Sequence, residues 1–371
     1  MPWTVNGVSY QYRRPLYANT VGIAAAVTDV LPFVGPDLTG KALASLNDVV
    51  LTEADGITLL GSPSANKYAG AFEVKTIAAP VGHGKFTLTA GEAAYLAAYL
   101  YYNATGGDPG DQTDIATPLT GLSYAGYWPL SDAASPAVDW TGNGNNGVQS
   151  GGVTFGATGQ VGQCCDFERD SLQYLNLGSG SSLAFLGSLT VGVWYKPETD
   201  SGWTALVCRL NSNDGRGWGL VHTGTNVLLV HGSNVWYEQP CSLVVGTWVH
   251  IAATKAVGTQ RIFVNGVQVG TSGTSTSPQY DGNVNGALGR YNPALAAYHP
   301  DGLLDLGIAV GAELTPSQML AQYRAGAGTL WSWGAEEQAG GLYLPKRYGV
   351  EGLLHGAGGL APKRYGLQGV A

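Results

Sequence analysis

From residue 172 to residue 269, apolar and polar side chains alternate in short runs separated by Gly, Asn, Ser and Asp. A period of two belongs to strands with one face in a core. In residues 188–195, Leu189, Val191, Val193 and Tyr195 fall on one face, and Thr190 and Trp194 on the other. Runs at 205–208, 217–221, 227–230, 248–254 and 261–264 continue the series. Asn265-Gly266 is a pair suited to a type I′ turn and sends 267–269 back along its neighbour. Many short strands at regular spacing mean a sandwich or a barrel.

The pattern is less uniform before this region. Asn6-Gly7 between two apolar triplets predicts a small hairpin. Residues 13–36, with several prolines, read as an extended arm or irregular loops. Residues 41–51 predict a short helix, and 57–60 and 71–77 predict strands. Thr89-Ala90-Gly91-Glu92 fits a capping box, so a helix is expected over 93–103. Leu96, Leu100, Tyr95, Tyr99 and Tyr102 lie at helical spacing there, and the glycines from 106 to 110 end it. At the other end, Pro345-Lys346-Arg347-Tyr348-Gly349 recurs as Pro362-Lys363-Arg364-Tyr365-Gly366. The chain therefore divides into an N-terminal hairpin and arm (1–36), a small α+β anchoring domain (37–120), a β-sandwich (121–326) and a Gly-rich C-terminal arm (327–371). A tandem motif in such an arm fits two equivalent docking events on a neighbouring subunit. Lys346, Arg347, Tyr348, Lys363, Arg364 and Tyr365 would be its contacts; a duplicated tail without a role is the alternative.

Composition supports the mainly β reading: 56 Gly, 20 Tyr and 10 Trp, with only 12% charged residues, in 371 positions. A net charge of −8 argues against broad binding to nucleic acid. Residues 1–7 carry no basic segment followed by an apolar one, so no export signal of the Sec type is expected. The most apolar stretch, 88–100, is broken by Gly91 and Glu92, so no membrane insertion is expected. Cys164, Cys165, Cys208 and Cys241 form no C-x-x-C pair and read as small buried residues. Cys164 and Cys165 point to opposite faces, so at most one pairs across the sandwich.

The order of the pieces then becomes specific. Tyr127-Trp128-Pro129-Leu130, followed by Asp139-Trp140-Thr141-Gly142-Asn143-Gly144-Asn145, resembles the opening strand and turn of concanavalin A-like, laminin G-like jelly-roll domains. Val193-Trp194-Tyr195-Lys196-Pro197, Gly246-Thr247-Trp248-Val249-His250-Ile251-Ala252 and Phe263-Val264-Asn265-Gly266 resemble their inner strands. Leu288-Gly289-Arg290, residues 302–306 and the capped helix from Leu314 to Tyr323 resemble the closing segment. The fold class implied is an antiparallel jelly-roll sandwich, preceded by a small α+β region and followed by an extended arm. The closing strand departs from relatives, because Leu304-Asp305-Leu306-Gly307 lacks their second acid.

Some relatives are glycosidases, which need paired carboxylates on one strand face. The Glu-x-Asp-x-x-Glu signal is absent, and Asp166, Glu168 and Asp170 read as a solvated edge beside Arg169. No H-x-x-x-H, Gly-x-Ser-x-Gly or Walker pattern occurs. No enzyme activity is expected. The resemblance does imply a structural Ca²⁺, with oxygens from Asp139, Asn143 and Asn145 and a further carboxylate from Asp305; simple Asx turns are the alternative. A sugar site needs aromatic faces beside amides. Trp203, Trp218, Trp236 and Tyr237, with Asn211 and Asn234, lie on or near loops and are the expected ligand-binding set.

A lectin-type sandwich, Gly-rich arms and no export signal point to a structural protein of a bacteriophage or virus particle. Such a head fibre, decoration or tail appendage would contact other subunits and a surface glycan. The alternative is a bacterial cell-surface adhesin or carbohydrate-binding module, and a glycoside hydrolase comes third.

Overall fold

The computed structural model describes residues 2–60, 68–74, 76–114, 119, 121–199, 202–211, 216–232, 235–274, 284–292 and 297–340. The N-terminal strands are β1 (Trp3–Val5), β2 (Val8–Ala18), β3 (Val27–Val34), β4 (Val50–Glu53), β5 (Tyr68–Val74), β6 (Val81–Leu88), β7 (Tyr95–Ala104) and β8 (Thr113–Asp114). Next come β9 (Tyr124–Trp128), β10 (Val148–Ser150), β11 (Thr154–Thr158), β12 (Gln163–Phe167), β13 (Tyr174–Gly178), β14 (Leu189–Pro197), β15 (Trp203–Leu210) and β16 (Gly217–Thr223). The series closes with β17 (Asn226–His231), β18 (Val235–Pro240), β19 (Val249–Ala256), β20 (Thr259–Val264), β21 (Val267–Gly273), β22 (Gly286–Leu288), β23 (Gly302–Val310), helix α1 (Pro316–Gly326), β24 (Trp331–Trp333) and β25 (Glu337–Gln338).

Among the described residues these strands make four sheets. Two pack face to face as the jelly roll: β10-β13-β22-β15-β16-β17-β18, and β11-β12-β23-β14-β19-β20-β21 with β9 on β23. Leu189, Val191, Val193 and Tyr195 of β14 enter the core between them with Trp218, Leu220 and Leu229. Trp194, on the opposite face, joins a second core with Val30, Val81, Tyr127 and Met319. This second core is the seam to the N-terminal sheets β3-β6-β5-β8 and β1-β2-β7-β4, which enclose a third core of their own.

The expected helix over 93–103 is the strand β7, which lies between β2 and β4 with Leu100 opposite both Arg14 and Leu51. Aromatic residues suit a pleated, half-buried surface, and the helical spacing of Tyr95, Tyr99 and Tyr102 is a coincidence of position. The capping box does not form. The Glu92 amide donates to Thr20 Oγ1, and the Thr89 amide to the Tyr95 hydroxyl.

The expected helix over 41–51 is a series of turns leading into β4. Asp48 Oδ1 captures the Leu43 amide at 2.8 Å, and Leu46 sits at φ 58, outside the helical region. Residues 13–36, read as an arm or loops, contain most of β2 and all of β3. Pro15 fits in β2 because the pairing with β24 stops at Leu16 and that with β25 resumes at Arg13. No partner needs the amide hydrogen that proline lacks.

The Asn265-Gly266 turn forms with φ of 50° and 73°. A β-carbon on Gly266 would sit 2.8 Å from Tyr323 Cβ, so the hairpin turn lies directly on α1. The expected capped helix forms, with a capping box between Thr315 and Gln318. All four cysteines are buried free thiols. Residues 331–338, expected in the C-terminal arm, add β24 and β25 to the β2 sheet. The repeated Lys-Arg-Tyr motifs, with Lys346, Arg347, Tyr348, Lys363, Arg364 and Tyr365, lie outside the described residues.

Candidate functional site

The glycine turn after β9 does not have the chemistry of a calcium loop. Asp139 Oδ1 accepts from the amides of Tyr127 and Thr141, at 3.2 and 3.0 Å, and from Thr141 Oγ1 at 2.7 Å. Its Oδ2 accepts from the Asn145 amide at 3.1 Å. The Asn143 and Asn145 side-chain amides both donate to the Ala125 carbonyl. Both Asp139 oxygens are thus taken by the turn's own donors, whereas a hard cation needs free oxygens. Asp305 sits elsewhere, accepting from the Val161 amide at 2.7 Å. Burial, and then the charge of Glu73, hold its carboxyl well above the usual carboxylate range. These four residues build the turn and the closing strand; they do not form the expected Ca²⁺ site.

The expected aromatic set divides by strand alternation. On β18, Trp236 faces outward at 51% exposure while its neighbour Tyr237 faces inward, where its hydroxyl donates to the Thr271 carbonyl. Trp218 is fully buried, with Nε1 donating to the Leu183 carbonyl at 2.9 Å and its ring 5.3 Å from Phe185. Tyr237 and Trp218 are therefore core residues. Asn211 is half-buried, its backbone amide taken by the Arg216 carbonyl, and Asn234 lies outside the described residues.

Trp203 and Trp236 do come together, with ring centroids 5.4 Å apart. Trp203 also meets Tyr298 at 5.3 Å, and Tyr298 meets Tyr291 at 5.6 Å. These rings sit by the outer face of the seven-stranded sheet, where Ala205, Val221, Leu228 and Val230 make a small apolar floor. On the Trp236 side, Asn226 Nδ2 donates to Glu238 Oε2 at 3.4 Å. On the other side of Trp203 opens a cleft of about 580 Å³, lined by Arg169, Asp170, Leu172, Tyr298 and His299 among others.

Two lining residues of this cleft have left-handed backbones without being glycine: Leu172 at φ 53 and Tyr298 at φ 68. Such conformations cost free energy and concentrate at functional sites. Leu172 is also 43% exposed, so no burial of its side chain offsets that cost. Arg169 Nη2 donates to Thr204 Oγ1 at 2.8 Å, and His299 Nδ1 donates to the Gln173 carbonyl at 3.1 Å. Burial pushes the His299 pKa down. Outside this lining, ligand oxygens of Asp166, Glu168 and Glu198 all lie within 4.8 Å of one another, an arrangement that could hold a metal.

Reading the sequence for this site found Trp203 and Trp236 and missed Leu172, Tyr298, Glu238 and Glu198. Tyr298 lies in a stretch of sequence without strand periodicity, so no local pattern singles it out.

Residues 169–318, within the sandwich, match the family model of the concanavalin A-like lectin/glucanases superfamily. No curated protein matches the chain. Among solved structures, domain 4 of the extracellular GH43 arabinanase AbnA of Geobacillus stearothermophilus is similar at 22% identity and a TM-score of 0.45, covering 54% of this chain and 98% of that one. The receptor binding domain of botulinum neurotoxin mosaic serotype C/D is similar at 14% identity and a TM-score of 0.43, covering 54% of this chain and 50% of that one. A heptameric pentraxin of Limulus polyphemus is similar at 18% identity and a TM-score of 0.30, covering 37% and 71%.

Proposed function

We propose that this protein binds a glycan without transforming it, through the rings of Trp203, Trp236 and Tyr298 and the cleft beside them. The observation that carries this reading is the half-exposed Trp236 ring packed on Trp203, with Glu238 two residues further along the same face of β18 and Asn226 bonded to Glu238. The apolar face of a pyranose stacks on such rings, while carboxylate and amide groups take its hydroxyls. A glycan array probed with the intact chain and with W236A tests the reading. Signals for the intact chain that the variant loses support it, and a blank array sinks it.

The finer reading is that the protein is a structural subunit of a bacteriophage or virus particle. In this reading the N-terminal sheets serve anchorage and the sandwich projects toward the host surface. Mass spectrometry of purified particles tests it. Recovery from a bacterial envelope instead would favour the adhesin. Release of reducing sugar from a polysaccharide panel would favour a glycoside hydrolase.

A further inference from the structure

The aromatic rings of the site form a row. Trp203 stands at the start of β15 and Trp236 on β18, three strands apart in the seven-stranded sheet. Three strand spacings are about 14 Å, and the two indoles close that distance, with centroids 5.4 Å apart. Trp203 and Tyr298 rest on the floor of Ala205, Val221, Leu228 and Val230. The Ala205 amide donates to the Tyr298 carbonyl at 2.6 Å, which ties Tyr298 to β15. Trp203 and Tyr298 line the cleft, whereas Trp236 stands outside its lining. The row therefore leads from the outer face of the sheet into the cleft.

Such a row is longer than one pyranose. A sugar on Trp236 lies on the side of Asn226 and Glu238, and a sugar in the cleft lies on the side of Asp170. One ring cannot reach both, but consecutive sugars of one chain can. The cleft alone, at about 580 Å³, has the size that takes a drug-sized ligand, larger than a single pyranose.

The row is also twisted. The Trp203 ring plane is turned 64° from that of Trp236 and 40° from that of Tyr298. A sugar stacks with its apolar face along the aromatic face, so successive sugars must turn with the rings. A free chain turns at its glycosidic bonds. Chains packed in a crystalline polysaccharide present coplanar faces and cannot.

Resting on the glycan reading above, we infer that the site takes at least three consecutive sugars of one soluble chain, laid across Trp236 and Trp203 into the cleft beside Tyr298, and does not take the flat surface of a crystalline polysaccharide.

The test uses the full chain on an array that carries each glycan at every length from one sugar to six, with pull-downs on crystalline cellulose and chitin beside it. For the glycan that binds, affinity should rise about tenfold or more from the monosaccharide to the trisaccharide or tetrasaccharide and level off beyond, because each added stacking contact contributes several-fold. The crystalline polymers should leave the protein in solution. W236A should lose more affinity for the longer members than for the shortest, and should level off at a shorter length. Affinity independent of length, depletion of the protein by either crystalline polymer, or an equal loss in W236A at every length overturns the inference and leaves the glycan reading standing. A blank array overturns both.

Discussion

His83 Nε2 lies 2.5 Å from Glu73 Oε2, with both side chains fully buried at the seam between the N-terminal sheets and the sandwich. The other ring nitrogen of His83 bonds the Tyr127 hydroxyl of β9 at 2.6 Å, so one imidazole joins the two halves. A parallel link runs through Asp29, which accepts from the Tyr124 hydroxyl at 2.7 Å and from Gln322 Nε2 of α1 at 3.0 Å. Buried polar groups of this kind stabilise only when fully partnered. They hold the N-terminal sheets in one arrangement on the sandwich, which an apolar seam alone would specify less sharply.

Asp29 makes this seam dependent on pH. Burial raises its carboxyl from the ordinary 3.8 to about 6, against its hydrogen bonds to Gln322, Tyr124 and Val30. A raised acid binds its proton more tightly in the folded than in the unfolded chain. Its contribution is therefore largest below about pH 4, declines as pH rises through 6, and is flat above that. The shift corresponds to about 3 kcal/mol. Buried His83 and His250, lowered to about 3 and about 4, act oppositely and lose stability as pH falls below 6.5. Comparing wild type with D29N isolates the first effect. The stability advantage of wild type should shrink by about 3 kcal/mol between pH 4 and pH 7 in denaturant titrations; a constant difference would refute the assignment.

The two tryptophans that alternation separates should behave oppositely. Trp218→Ala removes a fully buried ring and its bond to Leu183, at a cost of about 3–5 kcal/mol. Trp236→Ala removes a ring that is 51% exposed and should change stability by less than about 0.5 kcal/mol. Its effect should instead be on glycan affinity, about tenfold or more. Thermal melts beside a binding titration separate the two.

Asp139 provides a test of the turn. Asp139→Ala leaves the amides of Tyr127, Thr141 and Asn145 without their acceptor in a buried site. The expected loss is about 3 kcal/mol. That loss should be the same in calcium and in chelator, as read by melting temperature. A destabilisation seen only when calcium is present would restore the metal reading.

These cases show where sequence reasoning reaches and where it stops. The faces of β14 were legible because one period of two, from Leu189 to Tyr195, separates the sandwich core from the Trp194 side. The turns at Asn6-Gly7 and Asn265-Gly266 were legible because both residues of each pair take positive φ, which that dipeptide tolerates. Strand β7 was misread as helix because its tyrosines satisfy both periods and because its pairing partner, β2, lies some eighty residues earlier. The site was not legible as a unit. Leu172, Trp203 and Tyr298 of the cleft and Trp236 beside it come from four separate segments, and no local pattern brings them together.

Leu172 gives the sharpest test of whether the cleft is a binding site. Its left-handed backbone, φ 53, terminates the 3₁₀ turn Arg169–Ser171, and its side chain points into the cleft mouth at 43% exposure. Asparagine tolerates that conformation better than leucine, and little burial is lost by the change. Leu172→Asn should therefore raise stability by up to about 1 kcal/mol, the order of the strain relieved. If the apolar side chain is kept for a sugar face, the same variant should bind glycan several-fold more weakly. The expected signature is a higher melting temperature with lower affinity, the trade found where a strained residue serves binding. A variant that is more stable and binds equally well would show that Leu172 takes no part in recognition.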